Sequence, residues 1–500
     1  MSLVCGLALV RILLYFLAAP NYGYFRDELY YLACGEHPAW GYVDQPPLIG
    51  WVAWLLEHTV VTSLWALRLL PALSAAGTIL LAGMLAREFG GRRWAMFLAG
   101  LAVLLGPIFL AMSHLFTMNA FDLLLWTVIA FLFVQLAKTG SQHLWLPIGI
   151  VIGVTILNKY GVLFWLSGLL IGMCLTPLRS GFRQHWFWIG CAAATLIALP
   201  NLLWQWRNGF PFLQLMHNVR GEGRDIVLGP LSFLAAQAQM LGYFAAVLVP
   251  LALWLFFSRA GRSFRVLGWA FVVFLGEMML LHGKMYYMAP VYPALFAAGA
   301  VQLERMTAGR AWSWVKPSLA AAITAVGIAY GPTVLPVLSV PHFLAWEHAL
   351  GVEQQQFEHN QPSVLPQIYA DMYGWEEMAE RVAAFYRTLP PDVQQRTGII
   401  GNNYGDAGAI DFFGPKYGLP KAIGTHQTYW LWGPRQYTGE SLIILGEGNP
   451  RRMAQLCSRY SVIGTTEHPL SRRSEWLPIY YCEGLHPDLP TLWPRIRHWN

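Results

Sequence analysis

Trp186–Leu203 is an eighteen-residue run without a charged side chain, and Trp94–Pro107 and Leu123–Ala137 approach it in length and apolarity. A bilayer core about 30 Å thick is crossed by roughly 20 apolar residues in helical form. In lipid, every backbone N–H and C=O must be bonded within the segment, so such runs restrict the chain to membrane helices. Only 12% of the residues are charged, about half of the roughly 25% found in a soluble domain. The formal charge of +6 is modest and dispersed, so nucleic acid is not an expected partner. Residues 3–19 form the first apolar run. Arg11 interrupts it and no small-residue cleavage site precedes Asn21, so it reads as a retained membrane helix, not a signal peptide.

Lys and Arg collect in short loops on the cytoplasmic side. Placing Arg87–Arg93, Lys138, Arg179–Arg183, Arg259–Arg265 and Arg305–Arg310 inside gives a consistent alternation. Helices are predicted at about 3–20, 62–86, 95–112, 118–136, 142–157, 160–177, 186–204, 230–257, 266–281, 288–304 and 314–335. That is about eleven spans, within an expected 11–13, with the N-terminus cytoplasmic and the C-terminus outside. The remaining polar turns, 21–50, 113–122, 158–161, 206–225 and 282–287, then share the outer face. After about residue 340 the text changes to charged helix-like segments such as "GWEEMAERVAAFYRTLP" and strand-like runs such as "TGIIGNNY" and "SLIILGE". The fold class expected is an α-helical polytopic membrane protein with a C-terminal extracytoplasmic α/β domain. Its parts are a transmembrane domain over 1–340, with a first outer loop at about 21–61, and an α/β domain over 341–500. "NNYGDAGAI" lacks the G-x-G-x-x-G spacing, and no nucleotide cofactor is expected.

Ionisable residues at membrane depth or beside it are functional candidates. Asp27 and Glu28 open the helix-like run "DELYYLACGEH", where the helix dipole favours ionised carboxylates. Asp44 precedes the stiff pair Pro46–Pro47 after one residue, Gln45, which suits a metal ligand or a substrate contact. Glu36 and His37 rank lower. Asn119 and Asp122 lie at the outer end of the fourth helix. Lys159, and Lys284 with His282, Tyr286 and Tyr287, offer cations for an anionic group, phosphate above all. Carboxylates, lysines and candidate divalent-metal ligands (Asp44, with Glu28 beside Asp27, for Mg, Mn or Zn) at a membrane surface suggest transfer chemistry on a lipid-linked phosphate. Cys5, Cys34, Cys174 and Cys191 read as small buried hydrophobes. An oxidising compartment permits a disulfide between Cys457 and Cys482.

"RDELYYLACGEHPAWGYVDQPPL", "FTMNAFDLLLW", "LNKYGVLF" and "KMYYMAPVYPALFAAGA" resemble bacterial members of glycosyltransferase family 39, the protein-mannosyltransferase-like membrane enzymes related to the aminoarabinose transferases of lipid A. The resemblance covers roughly residues 1–340. It implies a GT-C fold in the bacterial inner membrane, an active site on the outer face, a polyprenyl-phosphate sugar donor and inversion at the sugar carbon. It implies Asp27 as the catalytic carboxylate and Asp44 as the metal or donor contact. Where those relatives commonly have lysine after the second acid this chain has Gln45, so donor-phosphate binding falls to Lys159, Lys284 or a metal. The resemblance also implies an acid at the start of the fourth helix, a position where either Asn119 stands or Asp122, one turn on, takes the role.

The expected function is an inverting glycosyltransferase moving a sugar from a polyprenyl-phosphate donor to a lipid, glycan or protein acceptor outside the cytoplasm. A transporter or flippase would place its polar residues near the midplane between inverted repeats, and no repeat is visible. A non-catalytic assembly or sensor protein is a third reading, and it predicts that Asp27→Asn is silent.

Overall fold

The computed structural model describes the chain apart from residues 61–62, 224–225, 352–360 and 362, so the last two residues of the predicted outer turn 206–225 lie outside the described residues. Two compact units form. One comprises Met1–Asn21, Ser63–Leu203 and Val227–Val352, the other Tyr22–Thr62, Trp204–Ile226 and Glu353–Asn500.

The first unit is helical, and each of the eleven predicted segments contains helix. Among the described residues, five helices are long and apolar enough to cross a membrane: Leu64–Glu88, Met118–Thr139, His185–Arg207, Arg262–Leu280 and Val315–Val334. Two bent pairs raise the number to seven if each is one span. The predicted continuous helix over 230–257 is instead broken, with Pro230–Met240 and Ala245–Phe257 bent by 116°. Gly242 at φ +79° and Tyr243 at φ +50° occupy the break; left-handed backbone cannot continue a right-handed helix. The segment over 95–112 also divides, because Pro107 disfavours helical backbone at Gly106, which is extended (ψ 124°).

The core of this unit is built from aromatic and small residues. Trp126 and Trp165 stack with ring centroids 5.0 Å apart, and Phe274 packs on Trp126. Helix Val162–Cys174 meets Arg265–Leu280 at Gly168, where a Cβ would stand 2.6 Å from the Ala270 carbonyl oxygen. Small residues are what let membrane helices approach this closely. Arg11, the charge inside the first apolar run, is 2% exposed and donates to the Ser113 carbonyl and hydroxyl oxygens at 2.6 and 3.0 Å.

The second unit is an α/β assembly that includes the acidic loop beginning at Tyr22. Its sheet has strands β1 (Thr397–Gly401), β2 (Ile423–Gly424), β3 (Ser441–Leu445), β4 (Cys457–Thr465) and β5 (Pro478–Leu485), in the order β2-β1-β3-β5-β4. β1 pairs in parallel with β2 and β3, and β5 runs antiparallel to β3 and β4. The central strands "TGIIG" and "SLIIL" are buried almost throughout, as parallel strands covered on both faces must be. Edge strand β4 is largely exposed and carries an irregularity between Val462 and Gly464, a common way to blunt an edge. A disulfide joins Cys457 to Cys482 across β4 and β5.

β1 leads into helix Tyr404–Tyr417 through Asn403, whose side chain accepts from the Gly405 and Asp406 amides at 2.8 and 3.0 Å. The glycine-rich text "NNYGDAGAI" is thus a helix start whose free amides are met by its own cap. Helix Arg26–Glu36 packs on this helix at Gly408, where a Cβ would lie 3.1 Å from the Leu29 carbonyl carbon. That close approach brings the acidic loop against residues almost 400 positions later.

Candidate active site

Asp27 and Glu28 both sit in the first turn of helix Arg26–Glu36, but their side chains do different things. Glu28 is buried and turns back, its Oε2 accepting from the Phe25 amide at 2.9 Å. It thereby meets one of the free N–H groups that every helix start leaves. Asp27 is half-buried, and its Oδ1 accepts from the Tyr404 hydroxyl at 2.8 Å. Arg26 lies over the Tyr404 ring, 5.2 Å from its centroid, and pairs with Glu475 at 3.4 Å. Asn403 donates to the other Glu475 oxygen at 3.1 Å. Burial holds the Tyr404 phenol well above its ordinary range, so it stays protonated and acts as a donor toward the carboxylate.

Asp44 is held by a second hydroxyl. Tyr30 Oη lies 2.7 Å from Asp44 Oδ1 and 2.7 Å from Thr428 Oγ1, and Thr428 Oγ1 accepts from the Val43 amide at 3.0 Å. With one phenolic proton, Tyr30 donates to Asp44 and receives from Thr428, so the three bonds run in one direction. Burial pushes the Asp44 carboxyl up to about 7, the Tyr30 bond opposes this, and the Asp27 charge adds to it. Gln45 is buried, its amide directed at the Cys34 sulfur at 3.6 Å. Glu36 pairs with Lys421 at 2.5 Å.

In the helical unit, two polar rungs join helix Met118–Thr139 to the end of Trp145–Asn158. Asn158 donates to Asp122 Oδ1 at 2.7 Å, and Lys159 donates to Asn119 Oδ1 at 2.5 Å. The Lys159 ammonium also stands 4.9 Å from the Tyr287 ring centroid and 5.4 Å from that of Tyr286, within the range of cation–π attraction. Asn119, Lys159, Tyr286 and Tyr287 therefore form one group. Asp122 is buried beside it, paired with Asn158 instead of a cation. Lys284 is half-buried at the start of the 3-10 helix Met285–Val291.

A divalent metal fits these residues poorly. Among the described residues no three His, Cys, Asp or Glu side chains converge as a metal-binding group. Glu28 is committed to its helix start, and one Asp44 oxygen to Tyr30. Tyr30, Tyr404 and Thr428 are the site groups that reading the sequence missed. Tyr30 and Tyr31 within the acidic motif were the only local signal.

Residues 44–204 match the family model described as dolichyl-phosphate-mannose-protein mannosyltransferase. A lipid A galacturonosyltransferase, RgtD of Rhizobium johnstonii, is 30% identical over 205 residues, which is 40% of this chain. Over these residues the chain is similar to the membrane glycosyltransferases of family 39. The match to RgtD spans 42% of that protein's length. The fold is that of ArnT from Cupriavidus metallidurans. Against the undecaprenyl phosphate-bound form the TM-score is 0.60 at 16% identity, covering 95% of this chain and 97% of ArnT. Against the apo form the TM-score is 0.58, with the same identity and coverage.

Proposed function

We propose that this chain is an inverting membrane glycosyltransferase of family 39. In this reading it moves a sugar from a polyprenyl-phosphate donor to an acceptor hydroxyl outside the cytoplasm. The observation that carries the reading is the setting of Asp27, a half-buried carboxylate in the first turn of a helix with one oxygen fixed by the Tyr404 hydroxyl. A carboxylate so held suits a general base. Asp27 takes the proton of the acceptor hydroxyl as that oxygen attacks the anomeric carbon. The bond from that carbon to the phosphate oxygen breaks, the electron pair leaves with the polyprenyl phosphate, and the sugar carbon inverts.

Lys159, fixed by Asn119 and the faces of Tyr286 and Tyr287, is assigned to the leaving phosphate together with Lys284. Cations at a departing phosphate stabilise charge where it develops. Asp44 is assigned to orient the donor, with Tyr30 holding it. Asp122 and Asn119 form the second acidic position, Asp122 acting through Asn158 on the turn that carries Lys159. No step is given to a metal, since the described residues named above do not form a ligand set.

Residues 1–340 are assigned the catalytic membrane domain and 341–500 an extracytoplasmic domain, in a multi-pass inner-membrane protein whose N-terminus is cytoplasmic. The Cys457–Cys482 disulfide suits an oxidising compartment. Because RgtD is named for lipid A, a saccharolipid is the acceptor to assay first. The test is mass spectrometry of lipids and glycans from cells lacking the gene, complemented with wild type or Asp27→Asn. The modification is expected to return with wild type alone. Full modification with Asp27→Asn would remove Asp27 as the base.

A further inference from the structure

We infer that Tyr404, contributed by the C-terminal α/β region, is a positioning residue for the reaction: its hydroxyl fixes the orientation of the Asp27 carboxylate. The inference rests on Asp27 being the base.

Three observations carry it. The hydroxyl is 2.8 Å from Asp27 Oδ1 across 377 positions of sequence, so the contact is made by the tertiary fold and not by the helix that carries Asp27. The ring is itself held on several sides. Arg26 covers it at 5.2 Å, Tyr30 packs on it with centroids 4.8 Å apart, and His426 stacks on it at 5.2 Å with 14° between the planes. His426 Nδ1 also accepts from the Tyr404 amide at 3.2 Å. A phenol clamped in this way has little freedom to swing, so its hydroxyl holds Oδ1 in place.

Third, the charged groups around this contact are themselves anchored. Arg26, the adjacent cation, is paired to Glu475, and Glu475 is tied to Asn403 at the start of the Tyr404 helix. Asp371 lies by the same arginine, its carbonyl oxygen accepting from the Arg26 amide at 3.1 Å and its carboxylate pairing with Arg472. A phenol orients a carboxylate without cancelling its charge, which a base must keep. Positioning groups of this kind act on the rate of the reacting complex more than on substrate affinity.

The experiment uses full-length protein in proteoliposomes made from the total lipid extract of cells lacking the gene, which supplies donor and acceptor. Initial rates are measured against the amount of extract by mass spectrometry, and kcat is normalised to the monodisperse fraction in detergent. Tyr404→Phe keeps the ring and removes only the hydroxyl. It is expected to lower kcat roughly 10-fold or more, the scale of a lost hydrogen bond to a charged group, with apparent KM within about twofold. Tyr404→Phe added to Asp27→Asn is expected to leave the residual rate unchanged, because the two act as one unit. Wild-type kcat in Tyr404→Phe overturns the inference, as does a further loss in the double variant. If Asp27→Asn itself retains full rate, the assignment of the base falls first. If Asp27→Asn is inactive while Tyr404→Phe is normal, only the role of Tyr404 falls.

Discussion

Asn158 Nδ2 donates a 2.7 Å hydrogen bond to Asp122 Oδ1, and both residues are buried. The same amide reaches the Met118 carbonyl oxygen at 2.9 Å. Asn158 therefore ties the turn before Lys159 to the start of the neighbouring helix. The placement of the lysine depends on a carboxylate it does not touch.

Replacing Asp122 by leucine leaves the Asn158 amide without that acceptor in an apolar surrounding, at a cost of about 1–3 kcal/mol. Asp122→Asn keeps an acceptor oxygen and is expected to stay close to wild type in stability. Thermal unfolding in detergent separates the two, and equal midpoints for Leu and Asn would show that the rung contributes nothing.

Lys159→Met removes the cation assigned to the donor phosphate while keeping the length of the side chain. Apparent KM for the polyprenyl-phosphate donor is expected to rise about 10-fold or more, the scale of a lost charge-assisted hydrogen bond. Lys159→Arg is expected to recover only part of this, because a planar fork does not occupy the compact position over Tyr286 and Tyr287. Unchanged KM in Lys159→Met would move phosphate binding to Lys284.

Asp411, on the Tyr404 helix, accepts from the Tyr429 hydroxyl and the Ala422 amide, each at 2.7 Å. Burial nevertheless raises its carboxyl from 3.8 to about 6. The folded state therefore holds this proton where the unfolded chain has released it, so the group's contribution to stability falls as pH rises from about 4 to about 6 and is level above that. Hydrogen exchange of the β1 and Tyr404-helix amides across this window should show the decline, and Asp411→Asn should flatten it. An unchanged slope in the variant would assign the decline to other groups, of which Asp406, pushed up to about 8 by burial and by the charge of Glu475, is the first to examine.

The Cys457–Cys482 disulfide closes a separation of 25 residues and pins edge strand β4 to β5. Replacing both cysteines by alanine is expected to cost the second unit about 3 kcal/mol, the loop-entropy scale for a link of this size. Limited proteolysis of the full-length protein, with and without reductant, checks this at β4. Equal cleavage rates would show that strand pairing alone secures the edge.

Much of this protein was legible in its sequence, for a physical reason. Lipid offers the backbone no hydrogen bonds, so an apolar run such as Trp186–Leu203 becomes helix whatever its neighbours do. For the same reason charge is rare enough that the cluster beginning at Asp27 stands out. The motif text also pointed to the kind of family whose model matches residues 44–204, and the strand-like runs "TGIIG" and "SLIIL" fell where the sheet has β1 and β3.

What the carboxylates face was decided only by the tertiary structure. Asp27 and Glu28 are adjacent and alike in sequence, yet one reaches Tyr404 and the other caps its own helix. Asp44 gains its donor through Tyr30 and Thr428, 14 and 398 positions apart in the two bonds. Such pairings leave no periodicity, because packing of the helices at Gly408 and not any local propensity fixes them. The break at Gly242 and Tyr243 has the same origin, since an apolar run reads alike whether its helix is straight or bent. Sequence determined where helix and charge would be, through the solvent each must satisfy. Tertiary structure decided which oxygen meets which hydroxyl, because that depends on distances no local pattern encodes.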